Sequence, residues 1–230
     1  MRKYYQTNWQ KIAFKDFTEM SSSRLADSNF YRSFYREFFR RYRRWDELAP
    51  VWLRQKQQVA HFVMGRLPAG KKALSVGCGL GAVEHYFQQA RPESDLQVHE
   101  VAGEAWQWLE REFAPEKCFL GFIPGALPSD ARFDLIYLSA VDYALEDQEL
   151  VSLLAGVRQH LADGGQCLMI SASFISRPVT MRQYLVAAAR HAKQAILAML
   201  DTVGLRRRGQ FWGWMRTAEE YRSIMSRAGY

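Results

Sequence analysis

The sequence predicts an α/β protein whose core is a doubly wound, mostly parallel sheet. Three observations support this fold class. Apolar runs of strand length alternate with helical patterns, a glycine-rich turn follows the first run, and a carboxylate ends the second. The chain has 230 residues, of which 48% are hydrophobic, so one domain can bury a sizeable core without disulfides.

Residues 1–70 predict a basic, helical N-terminal extension. A helix is expected from Asp27 to Trp45, because Asp27 or Ser28 suits its cap and aromatic side chains recur at helical spacing. The aromatic positions are Tyr31, Tyr35, Phe38, Tyr42 and Trp45, and a neighbouring basic stripe carries Arg32, Arg36, Arg40 and Arg43. Three interpretations stay open: this face packs on the core, lines a ligand site or rests on lipid headgroups. A second helix is expected over about 51–67.

The most informative segment is Lys72–Phe87, which predicts a buried strand, a glycine turn and the start of a helix. Gly77, Gly79 and Gly81 remove every Cβ where a ligand would approach the backbone. The helix from about Ala82 points its N-terminal amides at the same place. The segment therefore predicts a cradle for a nucleotide-type cofactor.

Later segments extend this pattern. Leu96–Val101 is typical of a second strand, and its Glu100 lies nineteen positions after Gly81. A βαβ unit delivers an acidic side chain to a ribose at this place. Phe133–Tyr143 predicts a third strand, and a helical stripe then leads to a fourth apolar run, Gln166–Ser171.

The glycine spacing leaves two cofactor classes open. Gly77-x-Gly79-x-Gly81 resembles the first motif of class I S-adenosylmethionine-dependent methyltransferases, but with Ala82 it also satisfies a dinucleotide-binding fingerprint. The later order of strand, helix, glycine turn and strand resembles the methyltransferases more than a dehydrogenase. This resemblance covers about residues 71–173 and returns at 216–230. It implies a Rossmann-like fold with S-adenosyl-L-methionine as cofactor.

The resemblance also implies cofactor-binding residues, which are Ser75, Gly77, Cys78, Gly79, Gly81, Glu84, Glu100, Val101 and Ser139. The sequence departs from the family at three places. Ser75 stands where many members carry an acidic residue near the amino group of the cofactor. Around 117–127 the acidic residue that meets the adenine amine is missing, which leaves backbone and apolar contacts. Two further strands are implied after Tyr230, so the expectation is a truncated chain or a short sheet.

Four parts are expected along the chain. The extension, 1–70, precedes a cofactor-binding core over 71–174. A helical insertion follows the fifth strand over 175–215, either as a lid over the acceptor or as a cover for the sheet edge. The last part, 216–230, is a final helix.

The acceptor side is less defined. Methyl transfer needs alignment and exclusion of water, and an alcohol acceptor also benefits from a base. Asp142 is the first candidate base and Tyr143 lies beside it, while His191 on the expected lid is a further candidate. The sequence lacks both the Asn/Asp-Pro-Pro-Tyr/Phe motif for planar amines and a Pro-Cys nucleophile after the fourth strand. O-methylation of a small molecule, a sugar or a glycan is therefore favoured.

The distribution of charge along the chain allows partners other than a small molecule. Residues 1–72 carry sixteen Lys and Arg against six acidic residues, residues 73–173 five against fifteen, and residues 174–230 ten against three. Basic flanks attract anionic partners, unless they pack on the acidic core and neutralise it. The alternatives are thus an RNA methyltransferase and a non-catalytic cofactor-binding adaptor at a membrane surface.

The cysteines and the N-terminus indicate the compartment. Cys78, Cys118 and Cys167 are odd in number and far apart, which is typical of reduced thiols in a cytoplasmic protein. The first residues lack the apolar core of a signal peptide, and no run approaches the roughly 18 apolar residues of a membrane span. No Cys/His cluster has metal-ligand spacing, so no metal is expected. The prediction is a cytoplasmic protein, with peripheral contact at the inner membrane face left open.

Overall fold

A computed structural model describes residues 2–175 and 209–230 of the chain. Between these ranges it describes single helical positions at Met181, Leu185, Ala188, Ala189, Ala192, Ile196, Met199 and Leu200. The candidate base His191 lies outside the described residues, as does most of the expected insertion. Within the described part of the chain, no helix is long and apolar enough to cross a membrane.

The N-terminal extension contains both strands and helices. Its strands are β1 (Arg2–Gln6), β2 (Asn8–Trp9) and β3 (Ile12–Ala13), and its helices are α1 (Ser28–Arg41) and α2 (Pro50–Met64). Helix α1 begins where the sequence predicts, because the Asp27 side chain accepts a hydrogen bond from the Phe30 amide at 3.1 Å. It ends before Trp45, since Tyr42 is extended and its hydroxyl donates to the Gln10 carbonyl at 2.6 Å.

Five parallel strands form the central sheet in the order β6–β5–β4–β7–β8. They are β4 (Lys72–Val76), β5 (Asp95–Glu100), β6 (Cys118–Leu120), β7 (Phe133–Ser139) and β8 (Leu161–Ile170). The winding reverses between β4 and β7, which creates a switch point at the carboxyl ends of the strands, where open α/β sheets bind ligands. The predicted Rossmann-like fold class is confirmed.

Helices cover both faces of this sheet. They are α2, α3 (Ala82–Ala90), α4 (Asp147–Arg158) and α5 (Ala218–Arg227). On one face, Val63 of α2 and Phe87 of α3 pack against Leu96 and Val98 of β5. A second apolar cluster joins α4 and α5 to β7 on the other face. Both faces of the sheet are therefore buried, which explains why its strands read as apolar runs.

A third apolar cluster holds the extension on this core. It contains Phe14, Phe30, Phe34 and Phe38 together with Trp108 of the core, all of them almost fully buried. The extension is thus fixed by aromatic packing rather than attached by a linker.

The end of the expected helical insertion differs from the prediction. Residues Gln210–Met215 form a strand, β9, that pairs antiparallel with β1, with Gln6 opposite Gln210 and Arg2 opposite Met215. Its pairing partner lies at the other end of the chain, so a local sequence pattern does not reveal it. This ribbon ties the two basic flanks together beside the sheet.

Candidate active site

A cavity of about 1210 Å³ lies between the carboxyl ends of the central strands and the N-terminal extension. The glycine loop and the ends of β5 and β7 form its floor, while α1, α2 and β9 supply the opposite wall. Of the predicted cofactor residues, the following line the cavity: Gly77, Cys78, Gly79, Glu84, Glu100, Val101 and Ser139. Ser75 and Gly81 lie behind that surface.

The three loop glycines are needed for different reasons. All have positive φ, at 67°, 59° and 78° for Gly77, Gly79 and Gly81. A Cβ on Gly77 would lie 2.6 Å from Cγ2 of Val141, and one on Gly81 would overlap Leu109. A Cβ on Gly79 would meet nothing within 4 Å. The first and last glycines therefore allow close packing, while the middle one exposes bare backbone to the cavity.

Glu100 holds the middle of the loop in place. Its Oε2 accepts a hydrogen bond from the Gly79 amide at 2.6 Å, and its Oε1 accepts from the amides of Val101 at 2.8 Å and Ala102 at 3.1 Å. Burial raises the pKa of this carboxyl, and the three amide donors act in the opposite direction. The carboxylate retains lone pairs on the cavity side for hydroxyl donors such as those of a ribose.

A second carboxylate, that of Glu84, is buried beside the loop with only 1% of its surface exposed. Its Oε1 accepts hydrogen bonds from the Ser75 hydroxyl at 2.6 Å and the Tyr137 hydroxyl at 2.7 Å. Its Oε2 is buried and has no hydrogen-bond partner in the described part of the chain. Burial raises the pKa of Glu84. Position 75 therefore carries no acid, but the Ser75 hydroxyl donates a hydrogen bond to a neighbouring carboxylate, that of Glu84.

Asp142 does not lie on the cavity wall. Its Oδ2 accepts hydrogen bonds from Ser171 at 2.7 Å, from Ser173 at 3.2 Å and from the Tyr221 hydroxyl. Its main-chain carbonyl accepts a further hydrogen bond from Arg216 at 2.6 Å. With 1% exposure and three hydroxyl donors on Oδ2, this carboxylate holds the loop after β7, while its Oδ1 is buried without a hydrogen-bond partner in the described part of the chain. Asp142 as the base stays a prediction.

Tyr143, by contrast, lines the cavity. A hydrogen bond with the Trp212 side chain orients its hydroxyl, and burial raises its pKa to about 12. The main chain of β9 lies directly against it, because a Cβ on Gly213 would overlap the Tyr143 carbonyl. The sequence suggested Tyr143 from its place after β7, but no local sequence pattern predicts its contact with β9.

The wall opposite the glycine loop is aromatic. Its members are Tyr4, Trp9, Tyr31, Phe34, Tyr35, Trp52, Tyr143 and Trp212. Tyr31 and Tyr35 belong to the aromatic stripe predicted on α1, so that stripe both packs on the core and lines the cavity. The tryptophans come from three separate elements. Trp212 lies in the segment predicted as a possible lid over the acceptor, whereas the sequence analysis identified neither Trp9 nor Trp52. Neither did it identify Lys56, which α2 places on the same wall.

The adenine end of a bound nucleotide would meet apolar groups. Val101, Phe122 and Ile123 line the cavity beyond Glu100, together with His99. The His99 ring pairs through Nε2 with the Gly121 carbonyl at 2.8 Å, and burial lowers its pKa. Backbone and apolar contacts to the adenine stay a prediction for these residues.

A family model described as an O-methyltransferase domain matches residues 52–230. The match covers more than half of the chain. The chain belongs to this O-methyltransferase family. The predicted relation to class I S-adenosylmethionine-dependent methyltransferases is therefore confirmed.

Solved structures with the same fold include several methyltransferases. A mitomycin 7-O-methyltransferase is 19% identical, with a TM-score of 0.53 over 78% of this chain and 48% of that one. A methyltransferase of calicheamicin biosynthesis in its SAH-bound form is 19% identical, with a TM-score of 0.52 over 78% and 48% of the two chains. A putative O-methyltransferase from Nostoc punctiforme is 16% identical, with a TM-score of 0.52 over 87% and 54%.

The chain spans about half the length of these structures, as the 48% coverage of the mitomycin enzyme shows. A search of curated proteins finds no match. At these identities the structural likeness supports the fold alone.

Proposed function

We propose that this protein transfers a methyl group from S-adenosyl-L-methionine to an oxygen atom of a small molecule. One observation carries the proposal: the bare backbone at Gly79 and the carboxylate of Glu100 share a cavity with an aromatic wall. The loop and carboxylate suit a nucleoside cofactor, and the aromatic wall suits a ring-containing acceptor. Membership of the O-methyltransferase family supports the same reaction.

The cofactor supplies an electrophilic methyl group on a sulfonium. We assign Gly79 and Cys78 to the floor beneath it, and Glu100 to the ribose hydroxyls. Val101 would contact the adenine, and Ser139 at the end of β7 lies on the same floor. Gly77 and Gly81 contribute by letting the loop pack closely, and Ser75 by holding Glu84, which faces the amino-acid end.

The acceptor is held by the aromatic wall, which excludes water and restricts orientation. Tyr143 stays protonated at neutral pH, because its pKa is about 12. With Trp212 hydrogen-bonded to it, the Tyr143 hydroxyl can donate to the acceptor oxygen and orient it. Asp142 does not line the cavity and contributes indirectly, by fixing the loop that carries Tyr143. His191, outside the described residues, stays the proposed base.

A small molecule fits this site better than a nucleic acid, because the chain's own extension walls the cavity. The basic side chains of α1 are also partly neutralised by nearby acids: Arg40 pairs with Glu37 at 2.8 Å, and Arg32 with Glu104 at 3.6 Å. These exposed pairs are weak and offset only part of the basic charge, so contact with an anionic acceptor or a membrane surface stays an alternative. A sugar or short glycan unit satisfies the same geometry. The proposed location stays cytoplasmic.

A mass-spectrometric assay tests the proposal. The protein is incubated with S-adenosylmethionine and a panel of phenols, alcohols, sugars and matched amines, and products are checked for an added methyl group. We expect methylation at oxygen, and lower turnover in Tyr143→Phe with unchanged cofactor affinity. Methylation only at nitrogen would contradict the proposed acceptor. Cofactor binding without turnover of the whole panel would favour the adaptor alternative.

A further inference from the structure

We infer that Lys56 and Glu84 together bind the zwitterionic amino-acid end of the cofactor, Glu84 taking its ammonium and Lys56 its carboxylate. The inference rests on the proposed function and adds a cofactor-binding residue from outside the Rossmann-like core. Lys56 lies on α2, in the N-terminal extension.

Glu84 is a carboxylate held ready for a cation. The Ser75 and Tyr137 hydroxyls both donate to Oε1, which fixes the side chain and leaves Oε2 without a partner in the described part of the chain. Glu84 lies in the first turn of α3, directly after the glycine loop, and lines the cavity. A buried acceptor without a donor is costly, so a ligand ammonium at Oε2 would relieve that cost.

Lys56 is a cation on the same cavity. Its helix, α2, packs on α3, and Trp52, Lys56 and Val59 present one helical face to the cavity. The Lys56 ammonium lies 5.4 Å from the centroid of the Trp52 ring. Burial lowers the pKa of Lys56, while the charge of Glu84 acts in the opposite direction. No described carboxylate forms an ion pair with it.

The Lys56 ammonium and the Glu84 carboxylate carry opposite charges. The charge of Glu84 acts to raise the pKa of Lys56, but the two side chains do not form an ion pair. Glu84 is fully buried and Lys56 partly buried, and each lacks a full partner in the described part of the chain, an arrangement that costs free energy in the protein alone. A ligand with an ammonium and a carboxylate on one carbon supplies both missing partners at once. The amino-acid end of S-adenosylmethionine has this chemistry, and a nicotinamide dinucleotide does not.

The position of Glu84 also explains why residue 75 is a serine and not the acidic residue that many family members carry. An acid at this buried position would place a second carboxylate against Glu84, since the Ser75 hydroxyl lies 2.6 Å from Oε1. Like charges at that distance repel strongly. Serine instead donates to Glu84, so in this chain the carboxylate beside the loop comes from α3 and not from β4.

Calorimetric titration with three ligands tests the inference. S-adenosylhomocysteine carries both charged groups, S-adenosyl-3-thiopropylamine lacks the carboxylate, and 5′-methylthioadenosine lacks both. We expect Lys56→Met to weaken S-adenosylhomocysteine roughly 10- to 100-fold, as for loss of a charged hydrogen bond, and to leave the other two unchanged. Glu84→Gln should weaken both ligands that carry the amine and spare methylthioadenosine.

Arg54→Met is the matched control, because Arg54 is an exposed cation on the same helix. It should leave all three affinities at the wild-type values. Equal weakening of all three ligands by Lys56→Met would show a structural effect and overturn the inference, as would no weakening of S-adenosylhomocysteine. If the wild type binds none of the three, the proposed function itself fails.

Discussion

Arg216 offers the sharpest stability prediction, because a fully buried guanidinium holds the loop that carries Tyr143. Its Nε donates to Asp147 at 2.8 Å, its Nη1 to the Asp142 carbonyl at 2.6 Å and its Nη2 to the Leu145 carbonyl at 2.5 Å. None of its side-chain surface is exposed. Arg216→Met keeps most of the apolar stem and removes all of these donors.

The expected cost follows from what is left behind. Two carbonyls of the buried turn lose a charged donor, whereas Asp147 is 38% exposed and regains water. Loss of a buried ionic partner costs about 3 to 5 kcal/mol, and we take the lower end because Asp147 is rehydrated. At 2 to 4 °C per kcal/mol for a chain of this size, the melting temperature should fall by roughly 6 to 12 °C.

The assay compares thermal unfolding of Arg216→Met and Arg222→Met. Arg222 is an exposed residue of α5, so its substitution should change stability by less than about 0.5 kcal/mol. Equal melting temperatures for the two variants would refute the reasoning, because the buried guanidinium would then contribute nothing beyond an exposed one.

Three further predictions concern the site. Ala140 has φ of 59°, so Ala140→Gly should stabilise the protein by about 0.5 to 1 kcal/mol in urea unfolding; a loss would show that the turn is unstrained. Gly213→Ala should cost about 1 to 3 kcal/mol through overlap with the Tyr143 carbonyl, again by urea unfolding, and unchanged stability would contradict that packing. The pKa of Glu84 is raised on folding, so its stability contribution is present below the unfolded pKa and is lost as pH rises through the folded one. Relative to wild type, Glu84→Gln should therefore gain stability as the pH rises above the ordinary pKa of a glutamate, about 4.3, and a parallel pH profile would contradict the shift.

The sequence was sufficient for elements whose signals are local. The β4–loop–α3 unit and the strands β5 and β7 follow from apolar runs, glycines and a terminal carboxylate within short windows. The glycines are informative because the backbone packs closely against a neighbouring side chain at these positions, as Gly77 does against Val141. For the same reason, the predicted positions of Glu100 and Glu84 beside the loop agree with the structure.

Features that depend on distant pairing were not predictable. The β1–β9 ribbon joins the two ends of the chain, and only that pairing brings Trp212 to Tyr143. Asp142 was predicted as a base from its place after a strand end, whereas its contacts with two hydroxyls of the loop after β8 and with one of α5 carry no local signal. Lys56 carried no signal beyond a helical pattern, since its partner charge lies on another helix.

The most direct test of the account is calorimetric titration of the wild type with S-adenosylmethionine and, separately, with NADH. Gly79→Arg serves as the comparison variant, because Gly79 faces open space in the cavity and a long side chain there would fill the cradle. The account predicts binding of S-adenosylmethionine alone, abolished by Gly79→Arg, with the variant still folded. Binding of NADH instead, or binding of S-adenosylmethionine that Gly79→Arg leaves intact, would contradict it.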